Sequence, residues 1–156
     1  MHLKKYSNSI LRISLAFVML WFGINQILNP DYFIGYLPEW LMGHSVESMH
    51  HHMMLMHTII PDNAYTLLFL NGIFEIIFGS LLLLGIFTRF SSLVLMLHIL
   101  SIAFNLGYND TAIRDLGLVA GYIVVFLNGT DIFCLDNKLK KQKLLKYFYL
   151  FDKYIK

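Results

Sequence analysis

The chain has 156 residues, of which 57% are apolar and 14% charged, with a formal net charge of +2. Soluble domains hold about 45–50% apolar and about 25% charged residues, so this composition excludes an ordinary water-facing domain and fits one domain whose outer surface meets lipid. One cysteine, Cys134, excludes an internal disulfide and a C-x-x-C redox pair, and it reads as an inert apolar side chain.

Four apolar runs follow in order, at residues 10–28, 65–87, 90–106 and 112–131. About 20 such residues cross a bilayer core as a helix, and strands are excluded because open sheet edges cannot face lipid. The expected fold is therefore all-α: an integral membrane four-helix bundle. Lys4 and Lys5 precede the first run as they would in a signal peptide. That run is longer than a signal h-region and no A-x-A-like site follows Leu28, so it reads as a retained anchor. Thr88-Arg89 is expected to join the second and third runs, and Gly107-Tyr108-Asn109-Asp110 the third and fourth. Gly129 is expected to end the fourth.

Between the first two runs, residues 29–63 contain no Lys or Arg but do contain Asp31, Glu39, Glu47 and Asp62. Lys4, Lys5, Arg12, Arg89 and the seven lysines from Lys138 to Lys156 lie at the other ends of the runs. The positive-inside rule then places both termini in the cytoplasm and segment 29–63 outside. Within that segment, Met49-His50-His51-His52-Met53-Met54-Leu55-Met56-His57 stands out. As an outer loop helix it would put His50, Met53 or Met54, and His57 on one face, with His51 adjacent. Imidazole and thioether donors suit copper. The alternative is an interfacial helix dipping Met and Leu into lipid. The basic tail, 132–156, aligns Leu144, Phe148, Phe151 and Ile155 on one face and reads as an amphipathic helix on an anionic leaflet, not as a nucleic-acid arm.

Each run also carries a small or polar stripe: Arg12, Ala16, Met19, Gly23 and Gln26; Gly72, Glu75 and Gly79; Ser91, His98, Ser101 and Asn105; Arg114, Gly117, Gly121 and Asn128. Small residues and interhelical hydrogen bonds hold helices together in lipid, so the stripes are expected to face one another, with Gly117-x-x-x-Gly121 as a close-approach step. Glu75 is costly at its depth and needs a partner. It lies roughly 15 Å from the outer end of its run, within about one turn of the depth of His98. A Glu75–His98 pair would lower the burial cost of both and carry a proton; it would equally serve as a structural hydrogen bond. Above it, Asn25, Gln26, Asn71, Asn105 and Arg114 are expected to line a polar vestibule, with Asp110 and Asp115 neutralising Arg114. Such a vestibule suits a polar head group, a quinone ring or a small anion; a hydrated rim is the alternative.

Three blocks resemble the DoxX/DoxD family of small membrane proteins. They are Gly23-Ile-Asn-Gln-Ile-Leu-Asn-Pro-Asp-Tyr-Phe33 with Tyr36-Leu-Pro-Glu-Trp-Leu41; Asn71-Gly-Ile-Phe-Glu-Ile-Ile-Phe-Gly79 with Leu84-Gly-Ile-Phe-Thr-Arg89; and Gly107-Tyr-Asn-Asp-Thr-Ala-Ile-Arg-Asp-Leu-Gly117 with Asn128-Gly-Thr-Asp131. The resemblance implies a multi-pass protein of the cytoplasmic membrane. Some family members are linked to membrane redox systems, such as a subunit of a thiosulfate:quinone oxidoreductase. It carries the family's polar positions to Glu75, Arg89, Asp110, Arg114 and Asp115. The His50–His57 stretch departs from the family pattern, and the lone Cys134 gives no support to thiol–disulfide chemistry. The leading expectation is a quinone-linked oxidoreductase subunit with a membrane redox partner, in which Glu75 and His98 manage protons. The alternatives are copper handling or small-solute transport, which four spans would support only as a homo-oligomer, and a non-catalytic scaffold.

Overall fold

The computed structural model describes residues 4–37, 62–106 and 110–136. Every regular element among them is a helix: α1 (Lys4–Leu28), α2 (Asp31–Ile34), α3 (Asp62–Leu84), α4 (Thr88–Leu106) and α5 (Asp110–Asn128). Among the described residues three stretches are long and apolar enough to cross a membrane: Tyr6–Leu28, Ala64–Leu84 and Thr88–Asn105. Helix α5 carries Asp110, Arg114 and Asp115 in its first two turns. The His50–His57 segment and the tail from residue 137 lie outside the described residues.

The four long helices alternate in direction. Helix α1 packs most closely on α3, and α4 on α5; looser α3–α4 and α1–α5 seams close the arrangement. Leu15, Met19, Leu82, Leu95, Val119, Tyr122 and Val125 meet in its centre. Phe17, Leu70, Phe104 and Leu127 point outward and are exposed, as a lipid-facing exterior requires. The end holding the N-terminus of α1 and the C-terminus of α3 is called the lower end here; the opposite end is the upper.

The close step between helices is not at Gly117 and Gly121. Gly117 faces open space, and Gly121 meets only the side chain of Leu15. Contact is tightest where α1 crosses α3. A Cβ on Gly23 would stand 2.8 Å from the Gly72 carbonyl oxygen, and a Cβ on Gly72 would stand 2.8 Å from that of Gly23. The spacing of Gly117 and Gly121 along one helix therefore did not locate a crossing, which needs glycines facing each other on two helices.

The lower turn also departs from the expected Thr88-Arg89 joint. Helix α3 stops at Leu84 because Gly85 adopts φ 67°, where a side chain is strained. The N–H of Ile86 donates to the Leu81 carbonyl (2.9 Å) and that of Gly85 to the Leu82 carbonyl (3.1 Å), which closes a Schellman end. Thr88 already begins α4. The Asp136 carboxylate accepts from the N–H groups of Phe87 (2.8 Å) and Thr88 (3.0 Å) and from the Thr88 hydroxyl (2.9 Å). An acid supplied from beyond α5 thus satisfies donors that the first turn of α4 leaves open.

Gly129, at φ 71°, ends α5. The chain then returns beneath the helices, where Leu135 N–H bonds the Leu84 carbonyl and Asp136 N–H that of Gly85. Arg12 fastens this return. It is 1% exposed. Its Nε donates to Asp131 Oδ2 at 2.7 Å, and its Nη1 donates to the carbonyls of Leu82 and Leu83 at the end of α3. One guanidinium so joins α1, the last carbonyls of α3 and the segment after α5.

Candidate functional site

Glu75 sits in the middle of α3 and is 2% exposed. Asn71 lies one turn before it on the same face. The Gly23–Gly72 crossing brings α1 near enough for Gln26 to reach across. Gln26 Nε2 donates to Glu75 Oε2 (3.1 Å), and Asn71 Nδ2 donates to Glu75 Oε1 (3.0 Å) and to Gln26 Oε1 (2.7 Å). From α4, His98 Nε2 lies 3.3 Å from Glu75 Oε1. The His98 ring also rests against Phe74, with 4.7 Å between centroids. Three nitrogens from three helices therefore surround one carboxylate, the arrangement that offsets the cost of burying it.

Above the carboxylate opens a cavity of about 440 Å³, a volume typical of small-molecule sites. Its floor is polar: Glu75, Gln26 and Asn71. Its walls are apolar and aromatic, from Trp21 and Phe22 on α1, Leu68 on α3, Ile102 on α4 and Leu118 on α5. Tyr32 and Phe33 of α2, with Tyr36 beyond it, complete the lining. Helix α2 is tied to α3 by the Tyr65 hydroxyl, which donates to Asp31 Oδ1 at 2.7 Å. Phe33 packs edge-on against Phe22, with centroids 6.2 Å apart. Arg114 lines the same cavity and stands 5.7 Å above the Phe22 ring, a cation–π distance. Its Nε and Nη2 donate to Asp115 Oδ1 at 3.1 and 3.0 Å, and its side chain remains 57% exposed.

Of the residues singled out in the sequence, Gln26, Asn71, Glu75, Asn105, Arg114 and Asp115 line this cavity. His98 does not; its Nε2 meets Glu75 Oε1, whereas Gln26 meets Oε2. Asn25 is turned away, because one residue along a helix is about 100° around it. Its Nδ2 donates to the Trp21 carbonyl of its own helix. Asp110 is exposed at the start of α5 and is not part of the lining; Asp115 supplies the carboxylate for Arg114. His50, His51, Met53, Met54 and His57 lie outside the described residues. Among the described residues no group of three or more His, Cys, Asp or Glu is placed to hold a metal.

Sequence reasoning did not find the aromatic wall. Trp21 and Phe22 precede Gln26 by about one turn and were legible as its neighbours, but α2 comes from a short turn with no periodicity to read. Sequence reasoning placed Arg12 in an inward-facing stripe but gave it no partner, and it gave Asp131 no role. Burial alone would raise the Asp131 carboxyl, but the Arg12 hydrogen bond, the Phe133 N–H and the Arg12 charge together hold it below its ordinary value. Burial pushes the neighbouring Cys134 thiol up, against hydrogen bonds from Thr88 and the Asp131 backbone. That thiol packs on Gly85, where any Cβ would strike it, so it is a structural filler of the lower turn.

The DoxX family model matches residues 7–107. That stretch includes α1 from Ser7 onward, α2 to α4, the Glu75–His98 contact and most of the cavity lining. Neither the curated proteins nor the solved structures contain a match to the chain.

Proposed function

The chain belongs to the DoxX family and is a multi-pass membrane protein, and on that premise we propose that it binds a lipid-soluble quinone in the cavity above Glu75 as a subunit of a membrane redox system. The observation that carries this reading is the pairing of an aromatic wall with a polar floor in a space of about 440 Å³. A ring with oxygen substituents packs face-on against one of the perpendicular Trp21 and Phe22 rings and edge-on against the other, and turns its oxygens to Glu75, Gln26 and Asn71. The family resemblance to membrane redox subunits supports the same ligand.

A quinone, when bound, takes up or releases electrons and protons. The residues here handle the protons. Glu75 lines the cavity and touches His98, which does not, so a proton arriving at its carboxyl passes to His98 Nε2 over 3.3 Å. Arg114 holds the mouth and orients an oxygen on the outer edge of the ring. In this reading all four long helices cross the cytoplasmic membrane as a bundle, both termini are cytoplasmic and the cavity opens toward the outer face.

Trp21 provides the test, since it lines the cavity and the only other tryptophan, Trp40, can be replaced by Phe. A short-tailed quinone titrated into the Trp40→Phe protein quenches Trp21 fluorescence with saturation at one site. Leu118→Trp in a Trp21→Phe, Trp40→Phe background fills the cavity, and an excess of quinone leaves its melting temperature unmoved. Non-saturating quenching, equal to that of free tryptophan in the same detergent, overturns the proposal.

A further inference from the structure

The hydrogen-bonding capacity of the cavity floor is asymmetric, and the asymmetry selects a ligand form. Asn71 Nδ2 has two hydrogens, and both are engaged within the site, on Gln26 Oε1 and Glu75 Oε1. Gln26 Nε2 has one of its two engaged, on Glu75 Oε2. Glu75 Oε1 receives both Asn71 and His98, whereas Oε2 receives Gln26 alone. A carboxylate oxygen and an amide oxygen each accept about two hydrogen bonds. Accepting capacity therefore remains at Glu75 Oε2, Gln26 Oε1 and Asn71 Oδ1, against one remaining N–H of Gln26. The carboxylate fixes this arrangement: turning either amide would set a carbonyl oxygen against it.

We propose that the floor recognises a hydroxyl donor, so the site prefers a lipophilic phenolic ring, the reduced hydroquinone form, over the oxidised quinone, whose two ring oxygens only accept. The inference deepens the reading of the cavity as a quinone site and rests on it. A hydroquinone O–H donates to Glu75 Oε2 and its oxygen accepts from Gln26 Nε2, so both groups are satisfied at once. A quinone carbonyl in the same place meets the lone pairs of Glu75, and a buried acceptor facing an acceptor leaves both unpaired. A site built to pair with a hydroxyl rejects analogues that lack it far more strongly than an apolar pocket rejects a change of shape. At the mouth, Arg114 donates to the second ring oxygen in either form and does not discriminate.

The test needs no redox chemistry. A long-chain 4-alkylphenol and its O-methyl ether share tail and ring, but only the phenol donates. Each is titrated into the full-length Trp40→Phe protein, reconstituted in lipid nanodiscs, by competition against Trp21 quenching. The expected result is about tenfold or tighter binding of the phenol, because its bond is to a charged acceptor. In Glu75→Gln the new –NH₂ faces either Gln26 Nε2 or Asn71 Nδ2, so an amide of the floor must turn and the charged acceptor for the phenol is lost. The phenol preference then falls to near unity or reverses. Ether binding equal to or tighter than phenol in the unsubstituted site overturns this inference while leaving the cavity as a quinone site. Failure of phenol, ether and quinone alike to compete overturns both. The comparison in the unsubstituted site decides the matter even if Glu75→Gln does not fold.

Discussion

The carbonyl oxygens of Gly23 and Gly72 each occupy the space a side chain on the other residue would need. A Cβ on either glycine would come within 2.8 Å of the opposing backbone. Backbone cannot swing aside as the end of a side chain can, so relief requires α1 and α3 to separate. Gly23→Ala is expected to cost about 1–3 kcal/mol and to draw Gln26 away from Glu75. Gly117→Ala, whose new methyl enters open space, is expected to be neutral or to stabilise by up to about 1 kcal/mol. Melting temperatures of the two variants in one detergent make the comparison. A tolerant Gly23 would show that the crossing has slack.

Asp131→Asn removes one half of a buried ion pair and leaves Arg12 without a counter-charge. A loss of about 3–5 kcal/mol is expected, with unfolding beginning at the lower end. The sign of the pH effect follows from the lowered carboxyl, which faces Arg12 and the Cys134 thiol. Its contribution is present in full above its ordinary value of 3.8 and is lost as pH falls through the lower value it has in the folded protein. Acid titration of thermal stability should show this loss in the parent protein and a flatter profile in Asp131→Asn. Parallel profiles would mean that Asp131 titrates normally.

Tyr65→Phe deletes the hydrogen bond that ties α2 to α3 and leaves the core untouched. A bond of this kind contributes about 1 kcal/mol, so ligand dissociation from the cavity should quicken by about fivefold. The melting temperature of the ligand-free protein should barely move. Stopped-flow recovery of Trp21 fluorescence after dilution reads the rate. An unchanged rate would show that the ligand leaves by a route that does not pass α2.

The helices were legible because lipid imposes a simple rule on long apolar runs; the polar stripes of α1 and α3 turn inward as expected, whereas Ser101 and Asn105 of α4 and Arg114, Gly117 and Asn128 of α5 are exposed. Glu75 was legible for the same reason, since a lone acid at that depth requires a partner and His98 was the expected one; Gln26 and Asn71, expected only to line the space above it, also donate to its carboxylate. The lower end was not, because its ties join residues far apart in sequence. Arg12 falls in the inward-facing stripe of the first run, but its counter-charge is not legible until Asp131, after α5, is brought beneath it. Asp136 looks like a tail residue and acts as the cap of α4. The end of α3 was placed too late because Gly85-Ile86-Phe87 continues the apolar run, and hydropathy does not register a left-handed glycine. The close step was assigned to a spacing within α5, whereas contact depends on which glycines meet across two helices.

Charge placement makes a further prediction about orientation. With both termini cytoplasmic, a reporter active only in the cytoplasm and fused after Lys156 should be active, and one fused within the 29–63 segment should be silent. The reverse pattern would put the cavity mouth on the inner face and would remove the positive-inside argument for this chain.

The most direct measurement is photolabelling. A short-tailed azidoquinone is irradiated with the reconstituted full-length protein, and the attachment sites are read by peptide mass spectrometry. A ring held in the cavity labels Phe22, Phe33 or Leu118, and excess unlabelled quinone suppresses those adducts. Label found only on outward-facing residues such as Phe17, Phe104 and Leu127, and indifferent to competition, would contradict a ligand site above Glu75.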